Sequence, residues 1–349
     1  MTSISNNLWQ GKRVLITGVC GTVGRELLHQ VIKQEPARIV GLDNNESELF
    51  FSIEEYRNDP RLEFYLGDMR DRDKLVSVMS DIDIVLHSAA LKHVPLCEQS
   101  PRDAIQTNIQ GVQNVIDAAT ANNVERVLFT SSDKAVNPTN VMGTSKLMGE
   151  RLMTAANAQR RGKGPIFAST RFGNVLGSRG SVIPLFKRQI AQGGPITLTD
   201  PEMTRFIMSL EEAVRLVMES TFLAQGGEVF VTKMAVVKIP DLAQVMIQEL
   251  ASHAGYSPDQ IDIKIIGSKP GEKLYEELMN DEETRRTVEL PRYFVILPAI
   301  KSFYSAIEYS YPEMYTEKID RPYNSAVEQS MSQDDLRNYL ITNQLLGVN

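Results

Sequence analysis

The sequence has little of what builds disulfide scaffolds, metal cages or membrane spans. Two cysteines in 349 residues, Cys20 and Cys97, make neither a disulfide framework nor a cysteine-rich metal site, and such usage fits a reducing compartment. Histidine is scarce too. His29, His87, His93 and His253 include no pair at helical ligand spacing. No run approaches about 18 apolar residues, and the N-terminal MTSISNNLWQGKR lacks the apolar core of a signal peptide. A soluble, cytoplasmic protein is expected. Positive charge is in deficit, since 37 basic against 44 acidic residues give a net −7. That balance argues against nucleic acid or an anionic membrane surface as a partner.

What is present is the composition of an ordinary globule, 42% hydrophobic and 23% charged. The length suits one two-lobed unit or two domains. Short apolar runs at 13–17, 39–42, 62–66, 84–87 and 127–129 read as strands. Between them lie segments with helical spacing, such as Val23, Leu27, Leu28 and Val31, or Ile105, Ile109, Val112, Val115, Ile116 and Ala119 within 103–121. This alternation predicts an α/β fold with a parallel, doubly wound sheet and right-handed crossovers. Beyond a helix at 142–159 and a strand at 166–170 the rhythm is less regular. Residues 171–179 read as a glycine-interrupted loop. Helices are expected at 183–191, 211–223 and 240–250, and strands at 196–198, 228–231 and 261–266. The expected division is a dinucleotide-binding domain at 1–175, with 206–240 returning to it. A smaller α/β lobe comprises 176–205 and 241–300, and the polar, tyrosine-rich 301–349 wraps onto the body.

Gly18, Gly21 and Gly24 follow the first strand and open a helix, in GxxGxxG rather than GxGxxG spacing. In that context glycines permit a tight turn, close backbone approach to a pyrophosphate, and close helix–strand packing, while helix-end amides face the phosphates. Asp43, Asp68 and Ala89-Ala90 stand at the ends of the next three strands, where ligands bind in open α/β sheets. An acidic Asp43 accepts ribose hydroxyls and repels a 2′-phosphate, so NAD is favoured over NADP. The candidate cofactor set is Thr17, Gly18, Gly21, Thr22, Val23, Gly24, Asp43, Asp68, Met69, Ala89, Ala90, Asn108 and Lys146.

A second stretch, FTSSDKAVNPTNVMGTSK at 129–146, loads a strand end with hydroxyls and the pair Asp133-Lys134, and places Met142 and Lys146 on one helical face. Read alone it is a solvated loop with a surface ion pair. Read with the motifs TGVCGTVG (17–24), SAALKHVP (88–95), RFGNVLGSRGSVIPLF (171–186), DPEMTRF (200–206) and KPGEKLYEEL (269–278), it resembles the extended short-chain dehydrogenase/reductases. More narrowly it is similar to the UDP-N-acetylglucosamine 4,6-dehydratases of bacterial polysaccharide and glycan biosynthesis. The resemblance reaches to about residue 290.

That resemblance implies a Rossmann-type NAD domain with a substrate lobe. It implies oxidation at C4 of the sugar, loss of the C5 proton and of water from C6, and return of hydride to C6. Asp133 matches the acid for the C6 hydroxyl and Lys134 the base at C5. Free aspartate and lysine titrate near 3.9 and 10.4, the wrong states for those tasks, and a dry cleft offers a route to neutral forms of both. The family's usual Tyr-x-x-x-Lys is here Met142 with Lys146. Methionine exchanges no proton, so Asp133, directly or through water, with Ser132 as relay, is the candidate for the C4 hydroxyl. Lys146 keeps its role at the nicotinamide ribose. Met in that position resembles one subgroup and favours retention at C5 over inversion. Asn174, Arg205, Lys269 and Glu272 match substrate contacts, with Lys92 and Met203 as further carry-overs. Arg205 is expected on a diphosphate. Arg179 reads as easily as a surface charge as a ligand, His93 as a hydrogen-bonded structural histidine ahead of a catalytic helper, and Cys97 as a small buried or half-buried residue ahead of a nucleophile. The resemblance also implies homo-oligomers paired through the helix carrying Lys146 and the long helix before it, although those small and apolar residues suit internal packing equally well. A C4 epimerase and a silent sugar-nucleotide binder are the rival readings.

Overall fold

The computed structural model describes residues 8–158, 164–178, 181–267, 271–304, 307–315 and 319–347. The first half alternates strand and helix: β1 (Arg13–Thr17), α1 (Thr22–Ile32), β2 (Arg38–Asp43), α2 (Glu46–Glu55), β3 (Leu62–Leu66), α3 (Arg72–Val78), β4 (Ile84–His87), α4 (Val94–Gln99), α5 (Pro101–Ala104), a π-helical stretch Ile105–Gln110, α6 (Gly111–Ala121), β5 (Arg126–Thr130), α7 (Val141–Ala158) and β6 (Ile166–Arg171). The second half contains β7 (Asn174–Val175), α8 (Val182–Ala191), β8 (Ile196–Leu198), β9 (Thr204–Met208), α9 (Leu210–Leu223), β10 (Val229–Thr232), β11 (Ala235–Lys238), α10 (Ile239–Leu250), β12 (Ile263–Ile265), β13 (Glu277–Met279), α11 (Asp281–Thr284), β14 (Thr287–Glu289), β15 (Tyr293–Ile296), β16 (Tyr323–Asn324) and α12 (Gln333–Thr342).

Nine strands form the main sheet in the order β3-β2-β1-β4-β5-β6-β10-β15-β14. The first seven run parallel, and β15 and β14 add an antiparallel edge. The order 3-2-1-4-5-6 is that of a Rossmann-type doubly wound sheet. Helices cover both faces, so residues of the central strands β1, β4, β5 and β6 are buried on both sides. In β1, Val14 and Ile16 join the core shared with Leu27, Val31 and Val217, while Leu15 joins the opposite core with Val85, Val127 and Met153. A second body holds the three-stranded sheet β11-β9-β7 and the pair β12-β8. Its core joins Phe186, Ile190, Ile207, Leu242 and Met246 to Leu336 and Leu340 of α12.

The sheet corrects the expected division in two places. Residues 287–296, assigned by sequence to the second lobe, form β14 and β15 of the main sheet. Within 206–240, expected in the first domain, β9 and β11 pair with each other outside the main sheet, and β10 alone returns to it. Strands β9, β11 and β13 to β16 were not anticipated, because these short segments lie outside the regular strand–helix alternation that marked the others. The long helix expected at 103–121 contains the π stretch near its N-terminal end, with α6 following it. In the C-terminal region Tyr304 donates to the Thr154 carbonyl, Tyr309 to the Gly226 carbonyl at 2.6 Å, and Tyr311 to Glu228 Oε1 at 2.9 Å. It also supplies α12, which belongs to the second core rather than a surface wrap. Among the described residues no helix is long and apolar enough to cross a membrane.

Candidate active site

The cleft opens at the carboxyl ends of the main-sheet strands, at the β1–β4 switch point, with a cavity volume of about 600 Å³. Ligands of doubly wound sheets bind there because the crossovers diverge and leave a crevice. The glycine loop forms one wall. Gly18 has φ 69°, and a Cβ there would stand 2.8 Å from the Ala89 backbone; a Cβ on Gly24 would fall 2.0 Å from the Gly18 carbonyl oxygen. The loop therefore tolerates no side chain at either point. Asp43 accepts the Cys20 amide at 2.9 Å and the Asn45 amide at 2.9 Å, which fixes its carboxylate beside the loop. Asp68 is held by Arg70 at 2.6 Å, and that guanidinium keeps its carboxyl below the usual range. Gly18, Gly21, Thr22, Val23, Gly24, Asp43, Asp68, Met69, Ala89 and Ala90 all line the cleft.

Two expected cofactor residues lie behind that lining. Thr17 is buried and shares a 2.7 Å hydrogen bond with His87 Nδ1. Asn108, on the π stretch, accepts the Leu91 amide at 2.8 Å and donates to the Leu91 carbonyl and Ser145 Oγ at 2.9 Å. It ties the loop after β4 to α7. The extra residue of a π turn re-aims a side chain in this way.

The 3-10 turn Asp133–Ala135 follows β5 and faces the glycine loop across the cleft. Ser132 Oγ donates to Asp133 Oδ1 at 2.5 Å, and Lys134 Nζ donates to Asp133 Oδ2 at 2.9 Å. Burial works to raise the Asp133 carboxyl, but the ammonium and these hydrogen bonds outweigh it and hold it low. Burial likewise works to lower Lys134, and the Asp133 and Glu276 carboxylates outweigh it and hold it high. The resting pair is thus held in its charged form, because adjacency favours both ions at once, and the neutral forms that a dry cleft could offer require a proton transfer. A Cβ on Gly143 of α7 would fall 2.2 Å from the Lys134 carbonyl oxygen, so α7 presses directly on this turn.

Lys146, on the same helix, is buried and donates to the Thr130 carbonyl at 2.9 Å, with its Nζ 4.7 Å from the Phe129 ring centre. Burial brings it down to about 8. Met142 lines the cleft wall and packs against Cys97 and Ala104. Cys97 is thereby a small core residue, and the environment of Met142 is apolar. Lys92, His93 and Asn174 line the cleft.

Three of the remaining substrate candidates, Arg205, Glu272 and Met203, lie off the cleft lining. Arg205 donates to the carbonyls of Thr204 at 2.7 Å, Lys273 at 2.9 Å and Leu274 at 3.1 Å, and its Nε is 3.2 Å from Glu276 Oε1. Those bonds turn it toward the 271–277 segment. Glu272 is 3.8 Å from Arg205. Met203 is buried in the second core, with Leu198 and Ile207, and does not reach the cleft lining. Lys269 and Arg179 lie outside the described residues. Sequence reading passed over Glu276, although it stands in a quoted motif. Its Oε1 accepts from Asn174 at 2.9 Å and is 3.8 Å from Lys134 Nζ. Among the described residues no cluster of His, Cys, Asp or Glu has the makings of a metal site.

Comparison with known proteins gives this geometry a context. Residues 14–298 match the model of the family described as polysaccharide biosynthesis protein. A protein of Methanocaldococcus jannaschii named uncharacterized membrane protein MJ1061 is 49% identical over 84% of this chain and 88% of its own. A Campylobacter jejuni UDP-N-acetylglucosamine 4,6-dehydratase (inverting) is 39% identical over 84% of this chain and 85% of its own. A Rickettsia bellii UDP-glucose 4-epimerase is 40% identical over 82% of each. The chain spans about half the length of two further relatives, EpsC of Bacillus subtilis, 49% covered, and CapD of Staphylococcus aureus, 47% covered. Among solved structures, Pen from Bacillus thuringiensis superposes with a TM-score of 0.89 at 41% identity, over 97% of this chain and 99% of that one.

Proposed function

Because the chain belongs to the polysaccharide biosynthesis protein family, we propose that it is an NAD-dependent 4,6-dehydratase of UDP-N-acetylglucosamine. The product is a UDP-2-acetamido-2,6-dideoxy-hexos-4-ulose. The observation that carries this reading is the Ser132–Asp133–Lys134 array, held by hydrogen bonds of 2.5 and 2.9 Å at the strand ends of a cleft whose opposite wall is the glycine loop. An alcohol oxidoreductase has no need of a paired acid and base there; a dehydratase needs both.

The residues fit NAD. The side-chain-free surface at Gly18 and Gly24 admits backbone-close phosphates, and the fixed Asp43 carboxylate suits ribose hydroxyls. When bound, NAD supplies the hydride acceptor and donor for C4 and C6. Lys146 holds the nicotinamide ribose. Asp133, relayed through Ser132, accepts the proton of the C4 hydroxyl, since Met142 cannot, and releases it to solvent before the elimination. For the elimination, one proton moves from Lys134 Nζ to Asp133 across their 2.9 Å contact. That single transfer breaks an ammonium N–H, forms a carboxyl O–H, and leaves a neutral amine for C5 and a neutral acid for the C6 hydroxyl. With Lys134 the one base at C5, the proton returns to the face it left, so we infer retention. The uridine diphosphate lies toward Asn174, Lys92 and the second lobe, where Arg205 and Glu272 require a turn of their side chains to reach it. Exposed Ile105 and Met148, on the π stretch and α7, support subunit pairing through those helices.

Mass spectrometry of UDP-N-acetylglucosamine incubated with the protein tests the reading. Loss of one water without added NADH is expected. A C4 epimer of unchanged mass would establish the epimerase reading, which the named Rickettsia relative favours and the Asp133–Lys134 pair opposes. The same reaction in deuterated water, read by NMR, decides C5: an inverted product would overturn retention, as the Campylobacter relative's name warns.

A further inference from the structure

Glu276 stands where the functional side chains of the two lobes meet. It is buried. Its Oε1 accepts from Asn174 Nδ2 at 2.9 Å, and lies 3.2 Å from Arg205 Nε and 3.8 Å from Lys134 Nζ. Its Oε2 accepts the Phe206 amide at 3.3 Å. The main chain is pinned as well: the Glu276 amide donates to Ser325 Oγ and the Ser325 amide to the Glu276 carbonyl, each at 2.9 Å. The carboxylate cannot swing away without breaking several of these bonds.

The charged groups around it come from three segments. Asp133 and Lys134 approach from the 3-10 turn, and Arg205 from β9. On its own segment Glu272 faces Arg205, while Lys273 and Glu277 pair with each other at 3.6 Å. Asp133, Lys134, Glu276 and Arg205 therefore form a row of alternating charge leading from the cleft into the second lobe.

We propose that Glu276 is a positioning residue for Lys134, holding its amine against Asp133 in the ammonium form and linking it to Arg205. Lysine has a long flexible stem and three rotatable donors. Asp133 alone leaves Nζ free to pivot, whereas a second fixed carboxylate on another side restricts it to one position. An anion within about 4 Å also favours the charged amine over the neutral one. Burial, with the Asp133 charge adding to it, lifts the Glu276 carboxyl to about 7. The carboxylate is accordingly ionised throughout the alkaline range in which a lysine gives up its proton.

The effect on turnover rests on the dehydratase reading; the effect on Lys134 does not. The experiment uses the full-length, cofactor-loaded protein, pulsed with acetic anhydride over a range of pH, with Lys134 acetylation read by peptide mass spectrometry. Only the neutral amine reacts. Replacing the anion by an amide in Glu276→Gln is expected to raise the Lys134 labelling rate near pH 8 about tenfold, the size of effect one opposite charge exerts. Surface lysines and cofactor content stay unchanged. Glu276→Asp retracts the charge by one methylene and gives an intermediate rate. In turnover, KM for UDP-N-acetylglucosamine is unchanged and the acid limb of kcat moves to lower pH. A Lys134 labelling rate indifferent to the residue at 276, in either variant, overturns the proposal. Shifted labelling in a protein that turns over no sugar nucleotide leaves it standing and sinks the dehydratase reading.

Discussion

Lys146 and the carbonyl of Thr130 meet at 2.9 Å, so α7 is fastened by a buried cation to the last residue of β5, directly before the acid–base turn. The fastening is pH-sensitive. Burial sets the amine at about 8, below the ordinary lysine value of 10.5. Between those values the unfolded chain binds more protons than the native one, so stability rises with pH across that window. Relative to Lys146→Met, which is neutral throughout, the wild type should gain up to about 3 kcal/mol from below pH 8 to above pH 10. Urea denaturation of the cofactor-free protein measures it, and a pH-independent difference would refute it.

His87 carries the opposite liability. Buried beside Lys146 and bonded to Thr17, its imidazole is pushed down to about 3, from an ordinary 6.5. The native state refuses a proton that the unfolded chain accepts in that range, so stability is full above about pH 6.5 and falls as the pH drops toward 3. His87→Asn should be the less stable protein at pH 7, and its deficit should shrink by about 1.4 kcal/mol per pH unit below 6.5. Denaturation midpoints at a few acidic pH values check this; parallel curves would count against it.

Gly143→Ala should damage chemistry more than cofactor binding. The added Cβ would lie 2.2 Å from the Lys134 carbonyl oxygen and must push the 3-10 turn away from α7. A displacement near 1 Å at a reacting group costs on the order of a hundredfold in rate. Steady-state kinetics together with the absorbance of retained cofactor separate the two effects. Equal loss of both would show that the glycine serves the fold rather than the turn.

Lys134→Ala should abolish dehydration while NAD stays bound, since the glycine loop and Asp43 lie on the other wall. Product mass and cofactor content after purification report the two separately. If the cofactor is lost with the lysine, the residue is structural and its assignment as base fails.

The first half of the fold was legible because its central strands β1, β4 and β5 are buried on both faces and helices such as α1 carry one apolar stripe, so local pattern and tertiary environment agree. The glycine loop, Asp43 and the Asp133-Lys134 pair could be placed for the same reason: the loop begins one residue beyond β1, Asp43 ends β2, and Asp133 stands three residues beyond β5. The second half was less legible. Strands such as β9, β13 and β16 span five residues or fewer, and their partners lie far away in sequence. The charge states of Asp133 and Lys134 were not legible in the sequence, because they depend on what else approaches. Sequence alone determined which residues stand at the strand ends, for that follows from chain order and period. Only the tertiary structure brought Glu276 and Arg205 up to the pair, turned Arg205 onto backbone carbonyls, and pressed Gly143 against Lys134. Electrostatics and close packing act through distance, and those distances are set by segments separated by as many as 142 residues in the chain, as between Lys134 and Glu276.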